Sequence, residues 1–180
     1  AYLNELDRFI EEEIKPLENE NDNIRFFDHR REDARTDWER EGLPTEDWEA
    51  LLFEARTRAD KAGHYRFAMP KELGGKDRGN LAMAVIREHL ATKGLGLHND
   101  LQNEHSIVGN NVGVLLMAEY GSAEQKEEWL PLMLEGKRGF AFGITEPAHG
   151  SAARHMETNA VRDGDGWKIN GAKTWNTGIH

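Results

Sequence analysis

The hydrophobic period of this chain changes once, near Gly136. Before it, apolar residues recur every three or four positions; after it, Phe140, Phe142 and Ile144 alternate with smaller residues. Side chains three or four apart share a helix face, and alternate residues share a strand face. The expected fold class is therefore α+β: an N-terminal α-helical domain over residues 1–136, then the first strands of an antiparallel β-domain over 137–180. A length of 180 residues suits one domain or two small ones.

Within the first part, Leu3, Leu6, Phe9, Ile10, Ile14 and Leu17 predict an amphipathic helix that Pro16 should end or kink. Residues 18–42 are crowded with charge and read as a solvated connection, with a helix around Arg31–Glu41. Leu43-Pro44-Thr45-Glu46-Asp47 is a helix start, with Pro in the first turn and acids where the macrodipole favours them. Trp48, Leu51, Leu52, Ala55 and Ala59 form its buried stripe, and Gly63 its stop. Met69–Gly75 reads as a loop. Asn80 is expected to cap a helix through Leu81, Ala84, Val85 and Ile86 that stops at Gly94. Residues 95–121 read as a largely apolar helix, with Gly109 and Gly113 permitting close approach. Ser122-Ala123-Glu124-Gln125 is a capping box whose helix carries Trp129, Leu130 and Met133 to Gly136.

The second part reads as strands: one over Phe140–Ile144, one over Thr158–Arg162, a hairpin turn at Asp163-Gly164-Asp165-Gly166, then Trp167–Ile169. Asn170-Gly171 signals another turn before a strand at Ala172–Trp175. Such a sheet would leave an unpaired edge, so the chain is expected to be a portion of a longer protein.

Composition removes several classes. There is no Cys, which excludes disulfides, cysteine nucleophiles and thiolate metal sites. No run approaches the roughly 20 apolar residues of a membrane span. A net charge of −10 opposes non-specific nucleic-acid binding. With 38 % hydrophobic and 31 % charged residues, the core is thin, as in a piece that packs against something else.

Two segments could carry chemistry. In Phe140–Ser151 a strand ends at Thr145, Pro147 turns the chain, and Gly150-Ser151 allows a close backbone approach with a hydroxyl at its tip. Exposed amides and hydroxyls in such a loop can bind a phosphate or heterocycle without net positive charge; the alternative is an ordinary turn. In Trp167–Gly178 a strand would place Trp175 and Thr177 on one face, an aromatic surface with a polar handle suited to a flat cofactor. The alternative is a Trp in a sheet core.

Together, Ile144-Thr145-Glu146-Pro147-Ala148-His149-Gly150-Ser151 and Gly164-Asp165-Gly166-Trp167-Lys168-Ile169-Asn170-Gly171-Ala172-Lys173-Thr174-Trp175 resemble the middle of an acyl-CoA dehydrogenase. Ser106–Gly109, Tyr120–Lys126, Trp129-Leu130-Pro131 and Pro70–Gly75 resemble the helices that precede it in that family. The resemblance implies FAD as cofactor, held by Phe142, Ile144, Thr145, Gly150, Ser151, Trp175, Asn176 and Thr177, with Ser151 also close to the acyl-CoA. It places Trp175 against the flavin ring and Thr177 at flavin N5. The implied reaction is α,β-dehydrogenation of an acyl-CoA thioester: a carboxylate removes the α-proton while the β-hydrogen leaves as hydride to N5. In the family that base is a Glu of a C-terminal helical domain. No residue here matches its motif, so none is assigned as catalytic, and Glu146 belongs to the turn.

The chain departs from the family's usual pattern at Ala152, where Asp follows the Ser, at Asn176, where Ile is common, and at Phe142, where Tyr or Trp is common. Arg154 reads as a surface charge, with a phosphate contact as the alternative. His98, Asp100, Glu104 and His105 form a polar cluster without the spacing of a known metal motif. The resemblance implies a substrate-pocket role for that stretch, and no metal is expected. It also implies an electron-transfer flavoprotein as partner, a homodimer or homotetramer, and a location in the bacterial cytoplasm or in a mitochondrial or peroxisomal matrix. An acyl-CoA oxidase or flavin monooxygenase on the same fold, or a non-catalytic binding module, are the alternatives.

Overall fold

A computed structural model of the chain describes residues 1–28, 30–99, 107–109 and 111–176. They form two compact units, Ala1–Arg138 and Gly139–His180. The first is helical and the second carries a β-hairpin.

The first unit opens with α1 (Tyr2–Phe9), a π-helical turn over Ile10–Ile14, and α2 (Lys15–Asn19). Pro16 does not end this helix. It lacks an N–H and its ring crowds the carbonyl one turn back. The widened turn directly before it absorbs that conflict, and the helix runs on to Asn19. Leu6, Phe9, Ile10, Ile14 and Leu17 are buried along one face.

The helix expected around Arg31–Glu41 does not form. Short 3₁₀ turns at Glu20–Phe27, Glu32–Arg35 and Trp38–Arg40 take its place. A two-residue ladder pairs β1 (Thr36–Asp37) with β2 (Leu43–Pro44). The Asp37 carboxylate accepts from the Glu39 and Arg40 amides, and Glu41 and Gly42 then turn left-handed, at φ 59° and 80°. The connection is charged but not wholly solvated: Phe26 is buried and tilts against the Trp48 ring at 5.1 Å.

Pro44 lies in β2, and Thr45 precedes α3 (Glu46–Lys61). That helix buries Trp48, Leu51, Leu52, Ala55 and Ala59, the stripe its spacing predicts, and Gly63 follows at φ 76°. Helix α4 (Asn80–Ala91) is preceded by Gly79, and no side chain caps it; Asn80 is its first residue. It buries Met83, Ile86 and Leu90, while Leu81 and Val85 are exposed. Of the helix expected over 95–121, the described residues show α5 (Val112–Tyr120) and a 3₁₀ turn at Leu97–Asn99, and residues 100–106 and 110 lie outside the described residues. Gly109 does mark a close approach: its amide donates to the Tyr65 carbonyl at 3.0 Å, and a Cβ there would sit 3.0 Å from the Tyr65 ring.

The Ser122–Gln125 capping box forms with both hydrogen bonds and starts α6 (Ala123–Leu134). The larger core joins α1, the π turn, α3 and α4. A smaller one gathers Met69, Val114 and Met133 beneath α5 and α6.

In the second unit, β3 (Asn159–Asp163) pairs antiparallel with β4 (Gly166–Asn170), in a register that sets Asp163 opposite Gly166. The two-residue turn begins at Gly164 with φ 58°. Positive φ at the first central residue suits the right-handed strand twist. Among the described residues, the strands expected at Phe140–Ile144 and Ala172–Trp175 are not formed as ladders. Trp175 instead has φ 59°, outside the strand region. No helix among the described residues is long and apolar enough to cross a membrane.

Candidate functional site

The two segments singled out in the sequence lie side by side in the second unit. The Thr174 amide donates to the Thr145 carbonyl at 3.0 Å. Lys173 Nζ donates to the Ile144 carbonyl at 3.1 Å. Asn176 reaches Gly143 so closely that a Cβ on that glycine would lie 2.8 Å from Asn176 Oδ1. Phe142–Thr145 and Lys173–Asn176 are thus neighbours, joined among the described residues by the Thr174–Thr145 backbone hydrogen bond and these side-chain contacts. Thr177 lies outside the described residues.

The turn after Thr145 closes on itself. Glu146 and His149 exchange backbone hydrogen bonds at 3.0 and 3.1 Å across Pro147-Ala148. Gly150 and Ser151 follow, both exposed, and a Cβ at Gly150 would meet nothing within 4 Å. Arg154 is exposed on the short 3₁₀ turn beyond, as a surface charge would be.

Apolar side chains of this unit face outward. Phe142 is 53 % exposed and Trp175 86 %, and Phe140, Ile144, Trp167 and Ile169 are exposed with them. Phe140 and Phe142, two apart in sequence, stack with ring centroids 6.3 Å apart. A two-stranded hairpin is marginal alone, and a concentration of exposed aromatics marks a surface meant to be covered.

Among the described residues of this unit, Glu146 alone is buried. Its Oε2 accepts from the Glu157 amide at 2.7 Å, and its Oε1 from the Thr158 amide and Lys173 Nζ, both at 2.9 Å. The Thr158 hydroxyl contributes at a geometry short of a full hydrogen bond. The Thr158 side chain, the two amides and the ammonium all favour the ionised form, so the Glu146 carboxyl titrates well below the usual carboxylate range. A group held ionised in this way is a poor proton acceptor.

Sequence reasoning placed Glu146 in the turn but missed this clamp. Its available signal was one acid and one lysine, Glu146 and Lys173, flanking two otherwise uncharged runs. Glu146, His149 and Glu157 also bring ligand-type atoms within 4.8 Å of one another. Both Glu146 oxygens already accept hydrogen bonds, however, and a cation there would meet the Lys173 charge.

In the first unit, His98 is buried, and burial lowers its pKa against the opposing pull of Glu18. Its expected cluster partners Asp100, Glu104 and His105 lie outside the described residues.

Residues 24–137 match the family described as acyl-CoA dehydrogenase, N-terminal domain. The chain belongs to the acyl-CoA dehydrogenase family. An acyl-CoA dehydrogenase of Mycobacterium tuberculosis is 33 % identical over 121 residues, 67 % of this chain and 30 % of that protein. The CarC subunit of the caffeyl-CoA reductase-Etf complex of Acetobacterium woodii is 35 % identical over 117 residues, 65 % of this chain and 30 % of its own length. A putative acyl-CoA dehydrogenase structure from Mycobacterium abscessus superposes with a TM-score of 0.68 at 30 % identity, covering 98 % of this chain and 41 % of that one. The chain therefore spans about 30 % of the length of the curated relatives it matches.

Proposed function

We propose that this chain is the N-terminal portion of an FAD-dependent dehydrogenase acting on an acyl-CoA thioester. The observation that carries the reading is the juxtaposition of Phe142–Thr145 with Lys173–Asn176, with aromatic side chains of both segments left exposed. Bound FAD would accept the hydride that leaves the acyl β-carbon.

The residues present fit such a group. Phe142, Ile144 and Trp175 offer apolar surface for a flat ring system, and Trp175 is the large aromatic that could lie against it. Thr145 and Asn176 supply neutral hydrogen-bonding groups in the two adjoining segments, and Ser151 supplies another, exposed beyond the turn, which suits a dinucleotide bound by an acidic chain. The open space at Gly150 and the exposed Ser151 leave room for a pyrophosphate or the acyl-CoA. Thr177 is assigned to flavin N5 on the family resemblance alone. The proton acceptor for the α-carbon is assigned to a Glu outside this chain, in keeping with the ionised, fully engaged state of Glu146.

An acyl-CoA substrate, an electron-transfer flavoprotein as electron acceptor and a homo-oligomer complete the proposal. The Etf complex of the Acetobacterium relative supports the second of these. The test is the visible spectrum of the whole protein purified with FAD, followed by anaerobic addition of acyl-CoA thioesters. Flavin absorbance that bleaches on addition of a saturated acyl-CoA is expected. A colourless protein that takes up no FAD would overturn the reading.

A further inference from the structure

We propose that Glu146 and Lys173 are positioning residues for the flavin surface, acting through Trp175. This deepens the function proposed above and rests on it.

Four observations converge on the pair. Glu146 is 4 % exposed and carries its charge into a unit with no other buried described residue. A buried carboxylate is tolerated only when paired and fully hydrogen-bonded, and its three donors come from two distant stretches, Glu157-Thr158 and Lys173. Lys173 spends its ammonium on the Glu146 carboxylate, the Ile144 carbonyl and the Met156 sulfur, at 2.9, 3.1 and 3.4 Å. One side chain thereby fastens the returning segment to the strip that carries Phe142 and Ile144. Two residues on, Trp175 adopts φ 59°, a conformation costly for a residue with a Cβ. Backbone of this kind persists only where the surroundings over-determine it. The fixed points on either side are the Lys173 ammonium and the Thr174 amide before it, and Asn176 against Gly143 after it. Without the ion pair the first of these is lost, and the indole is no longer held for stacking.

A purely structural ion pair would lower stability wherever Trp175 stands. A positioning pair must lose its effect once Trp175 is gone, so a double-mutant cycle in the whole protein separates the two. The variants are Glu146→Gln, Lys173→Met, Lys173→Arg and Trp175→Gly, with Glu146→Gln and Lys173→Met each combined with Trp175→Gly. Each apoprotein is titrated with FAD, read by flavin fluorescence and by the position of the bound flavin bands. Glu146→Gln and Lys173→Met are each expected to raise the FAD dissociation constant by about tenfold or more and to shift the bands. Lys173→Arg, which keeps the charge, is expected within about threefold of the unaltered protein. In the Trp175→Gly background the same substitutions are expected to add less than about twofold.

Equal losses in both backgrounds would overturn the proposal, as would unchanged affinity and bands in folded Glu146→Gln or Lys173→Met. If Glu146→Gln fails to fold, the Lys173 series carries the comparison alone. An unaltered apoprotein that takes up no FAD sinks the flavin reading, and this proposal with it. Uptake with additive losses sinks this proposal only.

Discussion

One carboxylate oxygen, Asp7 Oδ1, lies 2.6 Å from His89 Nε2 and 2.8 Å from Lys93 Nζ, tying α1 to the end of α4. The Lys93 hydrogen bond, and after it the His89 bond and both charges, hold the Asp7 pKa below its usual value against a desolvation effect that opposes them. A carboxyl with a depressed folded pKa stabilises above its unfolded value and ceases to do so as pH falls through the folded value. Asp7→Asn is therefore expected to cost about 1 kcal/mol at neutral pH, modest because the group is partly exposed. In urea titrations the difference from the unaltered protein should shrink as the pH falls through the depressed folded value.

Two buried histidines act in the same direction at higher pH. His64 is 1 % exposed, with Nδ1 3.1 Å from the Tyr2 hydroxyl, and its ring packs 4.8 Å from Phe9. Burial lowers its pKa, Lys76 adds to that, and Glu5 opposes it. His98 is lowered by burial in the same way. The unfolded chain takes up these protons near about pH 6.5 while the folded chain does not, so stability falls as pH drops from there toward the folded values. His64→Gln should remove roughly half of that acid-side slope, read from urea midpoints across the range.

Two glycines of the second unit should respond differently to a methyl group. Gly171 sits at φ 147°, and a Cβ there would lie 2.7 Å from Thr158 Cα, beside the amide that Glu146 holds. Gly171→Ala is expected to destabilise the hairpin by about 2 kcal/mol, seen as faster amide exchange across β3 and β4. Around Gly139 a Cβ would meet nothing within 4 Å, and Gly139→Ala should stay within about 0.5 kcal/mol of the unaltered protein.

Helix α4 offers a test of register. Leu90 is fully buried, whereas Leu81 is 81 % exposed. Leu90→Ala is expected to cost about 3 kcal/mol in chemical denaturation, the cost of a core cavity. Leu81→Ala should change stability by less than about 0.5 kcal/mol. Equal losses at the two positions would contradict the burial found here.

Local signals were legible wherever one answer satisfied them. The Ser122–Gln125 box, the α3 stripe from Trp48 to Ala59 and the Asp163–Gly166 turn each specify their own geometry through neighbouring residues. In the candidate site, the sequence located the Thr145–Ser151 turn and the Lys173–Asn176 segment, because Pro, Gly and aromatic residues mark them directly. That these two segments adjoin was readable only through family resemblance, since nothing local to either names the other.

Tertiary structure decided what local patterns left degenerate. In α4, Leu81, Ala84 and Val85 make one apolar face and Met83, Ile86 and Leu90 make the opposite one; both obey the helical period, and burial in the larger core selected the second. Pro16 was free to break or bend its helix, and the buried run from Leu6 to Leu17 favoured continuing through a π turn. The role of Glu146 was settled by donors 11, 12 and 27 residues away. By itself the sequence determined the α3 stripe, the start of α6 and the Asp163–Gly166 turn, because those choices depend on residues a few positions apart. Which face is covered and which charge is buried depend on partners far along the chain, and only the folded molecule brings those together.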